Sequence, residues 1–185
     1  MTKQEAHNMS GLDGQTFAEL GKLAVLGGWA VRVMVEKMGL QLWDLKWEFA
    51  RDGDDLVFVD TIDTDSFRAT SILEDGDDMI VIHYNKQAMR DYYKIAHSDW
   101  LDAVNETKQQ ARAEGTPFVD ILRSKQESGD APADPVVDET FLAIQVDKMN
   151  LIKDCILGRR ESAEVASALE ECGKREVGFY TDNGH

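Results

Sequence analysis

Between Thr16 and Met38 apolar residues recur at helical spacing: Phe17, Leu20 and Ala24, then Val31, Met34, Val35 and Met38, with Gly39 placed to close the helix. Gly27–Gly28 lowers helix propensity midway and predicts tight packing against a neighbour rather than a break. A polar lead of residues 1–14 precedes this helix. The period then drops to two. Leu42 to Phe49 alternates, Arg51-Asp52-Gly53-Asp54-Asp55 supplies a turn, and Leu56 to Ile62 forms the returning strand of a hairpin. A further short strand is expected at Met79–Ile82, after the acidic turn Asp75–Asp78.

Helical spacing governs the rest. Asn85 can cap a helix from Lys86, Ser98 a second through Ala113 before Gly115, and a short helix follows Thr116–Pro117. Glu127 to Pro135 reads as a loop. Behind it lie a helix from Val136 to Leu157, ended by Gly158, and another from Glu161 to Cys172, ended by Gly173. Residues 176–185 read as a tail, frayed from Tyr180 to His185. The fold class is therefore α+β: a small antiparallel sheet packed with several helices, in one domain over residues 15–175.

Composition narrows the functional classes. The chain has 185 residues, 35 acidic and 20 basic, for a formal charge of −15. Such a surplus argues against binding nucleic acid through a broad basic surface, yet leaves nucleotides open, because acidic proteins hold phosphates through a divalent cation. The acids concentrate. Asp52, Asp54, Asp55, Asp60, Asp63, Asp65, Glu74, Asp75, Asp77 and Asp78 stand within one stretch against a single base, Arg68. A solvated edge is the plain reading of such a run. Cys155 and Cys172 form no CxxC pair, which fits a reduced protein. The N-terminus lacks a signal peptide's apolar core, and Leu23–Val35 is too short for a span and interrupted by Arg32, so a cytoplasmic protein without membrane contact is expected.

Alternation on the first strand puts Trp43, Leu45, Trp47 and Phe49 on one face and Asp44, Lys46 and Glu48 on the other. A solvent-facing edge strand would alternate in the same way. The partner strand bears on the choice. If Asp52 opposes Leu56, Glu48 falls opposite Asp60, with Cβ atoms about 5 Å apart. Two facing carboxylates repel in an ordinary sheet, but suit Mg²⁺ completed by water and phosphate oxygens. Lys46 on the same face would meet a phosphate. A one-residue slip in register would remove this pairing.

Three segments resemble motifs of the SAICAR synthetase family, the phosphoribosylaminoimidazole-succinocarboxamide synthases of purine biosynthesis. Gly39 to Phe49 (GLQLWDLKWEF) is similar to the family's G-x-x-x-x-D-x-K-F-E-F. Val59 to Arg68 (VDTIDTDSFR) resembles D-E-x-x-[ST]-P-D-S-S-R, and Asn85 to Tyr92 (NKQAMRDY) resembles D-K-Q-x-x-R-D-Y. Order and gaps match as well. The helix before Gly39 and the segment from Pro135 to Gly158 fit the family's helical pattern more weakly.

The resemblance implies an ATP-dependent ligase that phosphorylates the carboxylate of carboxyaminoimidazole ribotide, after which the amine of aspartate displaces phosphate. It implies ATP and Mg²⁺ as cofactors, with Glu48 and Asp60 as metal ligands and Lys46 on the nucleotide phosphates. Lys46 and Asp65 are the catalytic assignments. Asp44, Asp65, Ser66, Arg68, Lys86 and Arg90 would bind substrate, Arg68 holding an anionic group. It further implies that this chain matches only the C-terminal portion of the enzyme. A second polypeptide, or a homo-oligomer, is then expected to complete the ATP-clamping half.

The departures carry information too. Ala50 stands for the glycine after E-F, Thr61 for an acid, Asp63-Thr64 for Ser/Thr-Pro, Phe67 for a second serine and Asn85 for aspartate. The altered loop from Asp63 to Phe67 favours an alternative reading, a catalytically degenerate homologue serving as a binding or regulatory module, which the retained Lys46, Glu48, Asp60, Asp65 and Arg68 oppose. His7, His83, His97 and His185 have no metal-ligand spacing and are expected to be exposed or satisfied. Trp29, Trp43, Trp47 and Trp100 are expected in the core, and the cysteines as inert core residues.

Overall fold

Caps fix the first helices. Thr2 and Glu5 form a reciprocal capping box over α1 (Lys3–Ser10), and the Asp13 carboxylate accepts the Gln15 and Thr16 amides to start α2 (Gly14–Lys37). The polar lead is thus helical. The strands β1 (Gln41–Leu45), β2 (Phe49–Asp52), β3 (Asp55–Phe58), β4 (Phe67–Asp75) and β5 (Asp78–His83) follow. Then come α3 (Gln87–Ala96), α4 (Ser98–Glu114), α5 (Phe118–Ser128), α6 (Glu139–Ile156) and α7 (Ser162–Asp182). The computed structural model describes residues 1–53, 55–76 and 78–184, without the side chain of Asp75. The expected turn residues Asp54 and Asp77 and the tail residue His185 lie outside the described residues. The α+β class holds.

Only the part of the expected hairpin next to its turn is formed. β1 pairs with β4, and β4 with β5, in an antiparallel sheet of order β1-β4-β5, while β2 and β3 make a separate two-stranded ribbon. Residues 46–48, expected inside a strand, link the two sheets. The ribbon register is Asp52↔Asp55 and Phe49↔Phe58, one residue from the assumed one. The Val59 amide donates to the Glu48 carbonyl at 3.1 Å. Val59, not Asp60, therefore stands opposite Glu48. The tight turn at Gly53, with φ 62°, sets this register because only two residues separate the strands.

A bulge corrects the expected faces of β1. Leu42 pairs with Ala69 and Asp44 with Arg68, leaving Trp43 as the extra residue. Leu42, Leu45 and Trp47 then pack on the core, while Trp43 is 63% exposed and bonds the Thr70 hydroxyl through Nε1 at 2.6 Å. Trp29 is likewise exposed, so neither tryptophan is a core residue; Trp47 and Trp100 are half-buried.

The main core joins α2, the inner face of the sheet, α6 and α7, through Val35, Met38, Ala69, Ile82, Tyr84, Ile144, Ile152, Val165 and Leu169. Gly27 supplies the close approach foreseen for the glycine pair. A Cβ there would run into the Trp47 ring, whereas at Gly28 it would meet Leu45 at 3.5 Å. The loop expected over residues 127–135 is displaced, since α5 continues to Ser128 and α6 starts at Glu139, capped by Asp138. Gly173 does not end α7. It packs under Tyr84 and Leu73, and the helix continues to Asp182 with Glu176 buried, so most of the expected tail is helical. Both cysteines are free; burial pushes the Cys155 and Cys172 thiols up.

Candidate functional site

The bulge in β1 aims Asp44 across the ladder at Arg68 of β4. Arg68 Nε donates to both Asp44 oxygens, at 2.9 and 3.0 Å, and its terminal nitrogen completes the fork. The Arg68 hydrogen bond holds the Asp44 carboxyl below its usual range, and the same bond raises Arg68. Both side chains are about half exposed, so the pair is accessible.

One step along the chain, the Lys46 amide donates to the Ser66 carbonyl at 2.8 Å, tying the link between the sheets to the loop before β4. Lys46 Nζ pairs with Glu48, which lowers the carboxylate and raises the amine; Asp60 adds attraction at the same amine. Lys46 and Glu48 are strongly exposed.

The loop itself is an Asx turn. Asp63 Oδ1 accepts the Asp65 and Ser66 amides at 2.8 and 3.2 Å, and Ser66 Oγ donates to the Asp63 carbonyl at 3.0 Å. Burial pushes Asp63 up, but Thr61, the two amides and Lys86 outweigh it and leave the carboxyl low. Asp65 is thereby presented to Lys86, 3.2 Å away at the start of α3. Thr64 anchors the other side of the loop by donating to Met149 Sδ on α6.

Asp44 with Arg68, Lys46 with Glu48 and Asp60, and Asp65 with Lys86 are thus gathered along the 44–48 and 60–68 segments. Ser66 contributes its carbonyl and hydroxyl to holding the loop. Arg90 is exposed, one turn after Lys86, and forms no ion pair among the described residues. Glu48 and Asp60 do not face each other in a ladder, and no cluster of three or more metal-ligating side chains occurs among the described residues.

The sequence reading missed Lys148 and expected His83 to be exposed or satisfied, whereas it is half-buried. His83 Nε2 lies 3.7 Å from Asp91, and its Nδ1 is buried with no partner among the described residues. Beneath β5, Lys148 is fully buried. Its Nζ pairs with Glu176, donates to the His83 carbonyl at 3.1 Å and lies 4.9 Å from the Tyr84 ring centre. Gln145 Nε2 donates to the same Glu176 oxygen at 2.7 Å. Burial lowers Lys148, against the pull of Glu176. The signal was available: Phe141, Ile144, Gln145, Lys148, Leu151 and Ile152 make one helical stripe, and a lysine inside such a stripe needs a partner.

These features define an α+β protein whose ion-paired acids and bases collect at one end of a sheet and on the link to a neighbouring ribbon. The chain belongs to the SAICAR synthetase family, whose profile matches residues 1–107. This is a family of purine-biosynthesis ligases that use ATP and Mg²⁺. No curated protein and no solved structure matches the chain. The family match takes in the whole sheet and α3 and ends within α4, before α5, α6 and α7. No helix among the described residues is long and apolar enough to cross a membrane.

Proposed function

We propose that this chain supplies the metal-binding and substrate-carboxylate side of an ATP-dependent ligase that joins aspartate to carboxyaminoimidazole ribotide. The observation that carries the reading is the Lys46–Glu48 pair, with Asp60 attracting the same ammonium and Ser66 tied to the Lys46 amide. One carboxylate pairs with that cation, and a second lies within electrostatic reach of it. That donor set fits Mg²⁺, which takes one or two protein carboxylates and completes its shell with water and phosphate. Glu48 and Asp60 would hold the ion, which supplies charge neutralisation on the nucleotide phosphates.

The remaining roles follow from charge and position. Glu48 would hold the ion, and Lys46 would then meet a phosphate oxygen of the nucleotide. Arg68 and Lys86, each held by one acid, exchange that acid for an anionic substrate group. Asp44 and Asp65, once freed, accept from the aminoimidazole. A substrate carboxylate oxygen attacks the terminal phosphorus of ATP, and ADP leaves. The aspartate nitrogen then attacks the acyl carbon, losing a proton as phosphate departs. Such chemistry needs positioning and neutralised charge rather than a protein nucleophile. The nucleotide's other face is covered by a second polypeptide or a second copy, and activity of the chain alone is low.

A second reading, a regulatory binding module, draws support from the mutual neutralisation of Asp44 with Arg68 and Asp65 with Lys86. Calorimetry with Mg²⁺–ATP separates the two. Glu48→Ala and Asp60→Asn should each weaken nucleotide affinity about tenfold or more, a loss of about 1.4 kcal/mol. Unchanged affinity in both variants overturns the ligase reading.

A further inference from the structure

The corner between β5 and α3 contains a polar group that neither the fold nor the proposed roles use. Asn85 is only 3% exposed. Its Oδ1 accepts the Gln87 amide at 2.7 Å and starts α3, which fixes the amide orientation, because that backbone N–H needs an oxygen. Nδ2 is therefore the free end of the amide. It is buried and has no partner among the described residues. Native structures rarely leave a buried donor in that state, and such a group signals a ligand.

The surroundings identify the chemistry. β4 and β5 pair Thr70 with His83, and the Tyr84 amide extends the ladder by one step to the Ala69 carbonyl, at 3.0 Å. Continued one residue further, this register sets Asn85 beside Arg68. Tyr84 and Ile82 point to the core, while Ile72, Val81 and Arg68 lie on the outer face, which is the face that residues 83 and 85 share. Lys86 follows directly, and Arg90 one turn later. Arg68, Lys86 and a carboxamide N–H₂ at one corner make a receptor for an oxygen acceptor carrying negative charge.

We propose that Asn85 is a specificity residue of the substrate site, donating from Nδ2 to an oxyanion of the ligand that Arg68 and Lys86 also take. This rests on the ligase reading. Because Nδ2 is closed to solvent, the ligand reaches it as the exposed Arg68 and Lys86 side chains turn to the same oxyanion. In the motif that residues 85–92 resemble, this position is aspartate, which offers an acceptor.

Asn85→Asp tests the idea, since either carboxylate oxygen can still cap α3 while the donor is replaced by an acceptor that repels an oxyanion. The full chain, wild type and variant, is titrated with ribose 5-phosphate and separately with imidazole-4-carboxylate, following affinity and the Asn85 side-chain amide resonances. The arms tell a phosphate from a carboxylate. The expected result is a shift of the Asn85 N–H₂ signals with one probe and at least a tenfold loss of affinity for that probe in Asn85→Asp, at unchanged melting temperature. Equal affinities in wild type and variant, an unmoved side-chain amide, or no binding of either probe to the wild type overturns it. Mg²⁺–ATP affinity that still depends on Glu48 would then show that Asn85 alone had failed, and not the ligase reading.

Discussion

His83 stands between Asp91, 3.7 Å from its Nε2, and a buried side where its Nδ1 has no partner among the described residues. Burial lowers its pKa, and the pull of Asp91 only partly offsets this. The unfolded chain, with histidine near 6.5, therefore takes up the proton before the folded one. Stability should be flat above about pH 7.5 and fall as pH drops through about 6.5 toward the lower folded value. Denaturant melts of wild type and His83→Gln at stepped pH check this: the variant should show a shallower slope across that window, and parallel slopes would contradict it. Nothing in the spacing of four histidines marks this one. Its environment is created by the ladder partner Thr70 and by α3, both remote from any local signal. Asp44, Lys46, Asp65 and Arg68 were legible individually, because motif spacing depends on the chain and not on how the strands pair.

Among the elements, α2 was readable almost to the residue, since one apolar stripe of period 3.6 specifies both the helix and its buried face. β1 was readable as a strand but not in its facing, because a bulge at Trp43 shifts the alternation and leaves no mark in composition. β4 went unrecognised. Its outer positions Arg68 and Thr70 and its acidic end resemble a loop, although Phe67, Ala69 and Leu73 pack inward. The ribbon register turned on a single residue in the turn at Gly53. Gly27 offers a test of how α2 holds the link between the sheets. Gly27→Ala places a methyl into the Trp47 ring and should cost about 1–3 kcal/mol while moving Trp47 toward solvent, read as a red-shifted emission with a lower melting temperature. Gly28→Ala, with ordinary contact at Leu45, should be neutral or stabilising by up to about 1 kcal/mol. Equal behaviour of the two variants would contradict the close approach.

In the whole molecule, residues outside the family match support those inside it. Lys148 on α6, paired with Glu176 on α7, donates to the His83 carbonyl three residues before Lys86, so the C-terminal helices brace the corner from which Lys86 and Arg90 project. A helix ended at Gly173, as the sequence predicts, would not contain Glu176, so this dependence is not legible in the sequence. Family membership and the α+β class were both legible, the first from motif order and the second from the change of period along the chain. The central claim is that Glu48 and Asp60, gathered around Lys46, form the protein's share of a metal–nucleotide site. Paramagnetic broadening by Mn²⁺–ATP in the ¹⁵N spectrum of the full chain tests it most directly. Broadening should centre on the amides of residues 46–48 and 60–61 and be lost in Glu48→Ala; broadening confined to the acidic turns around residues 52–55 and 75–78, or none at all, would rule the site out.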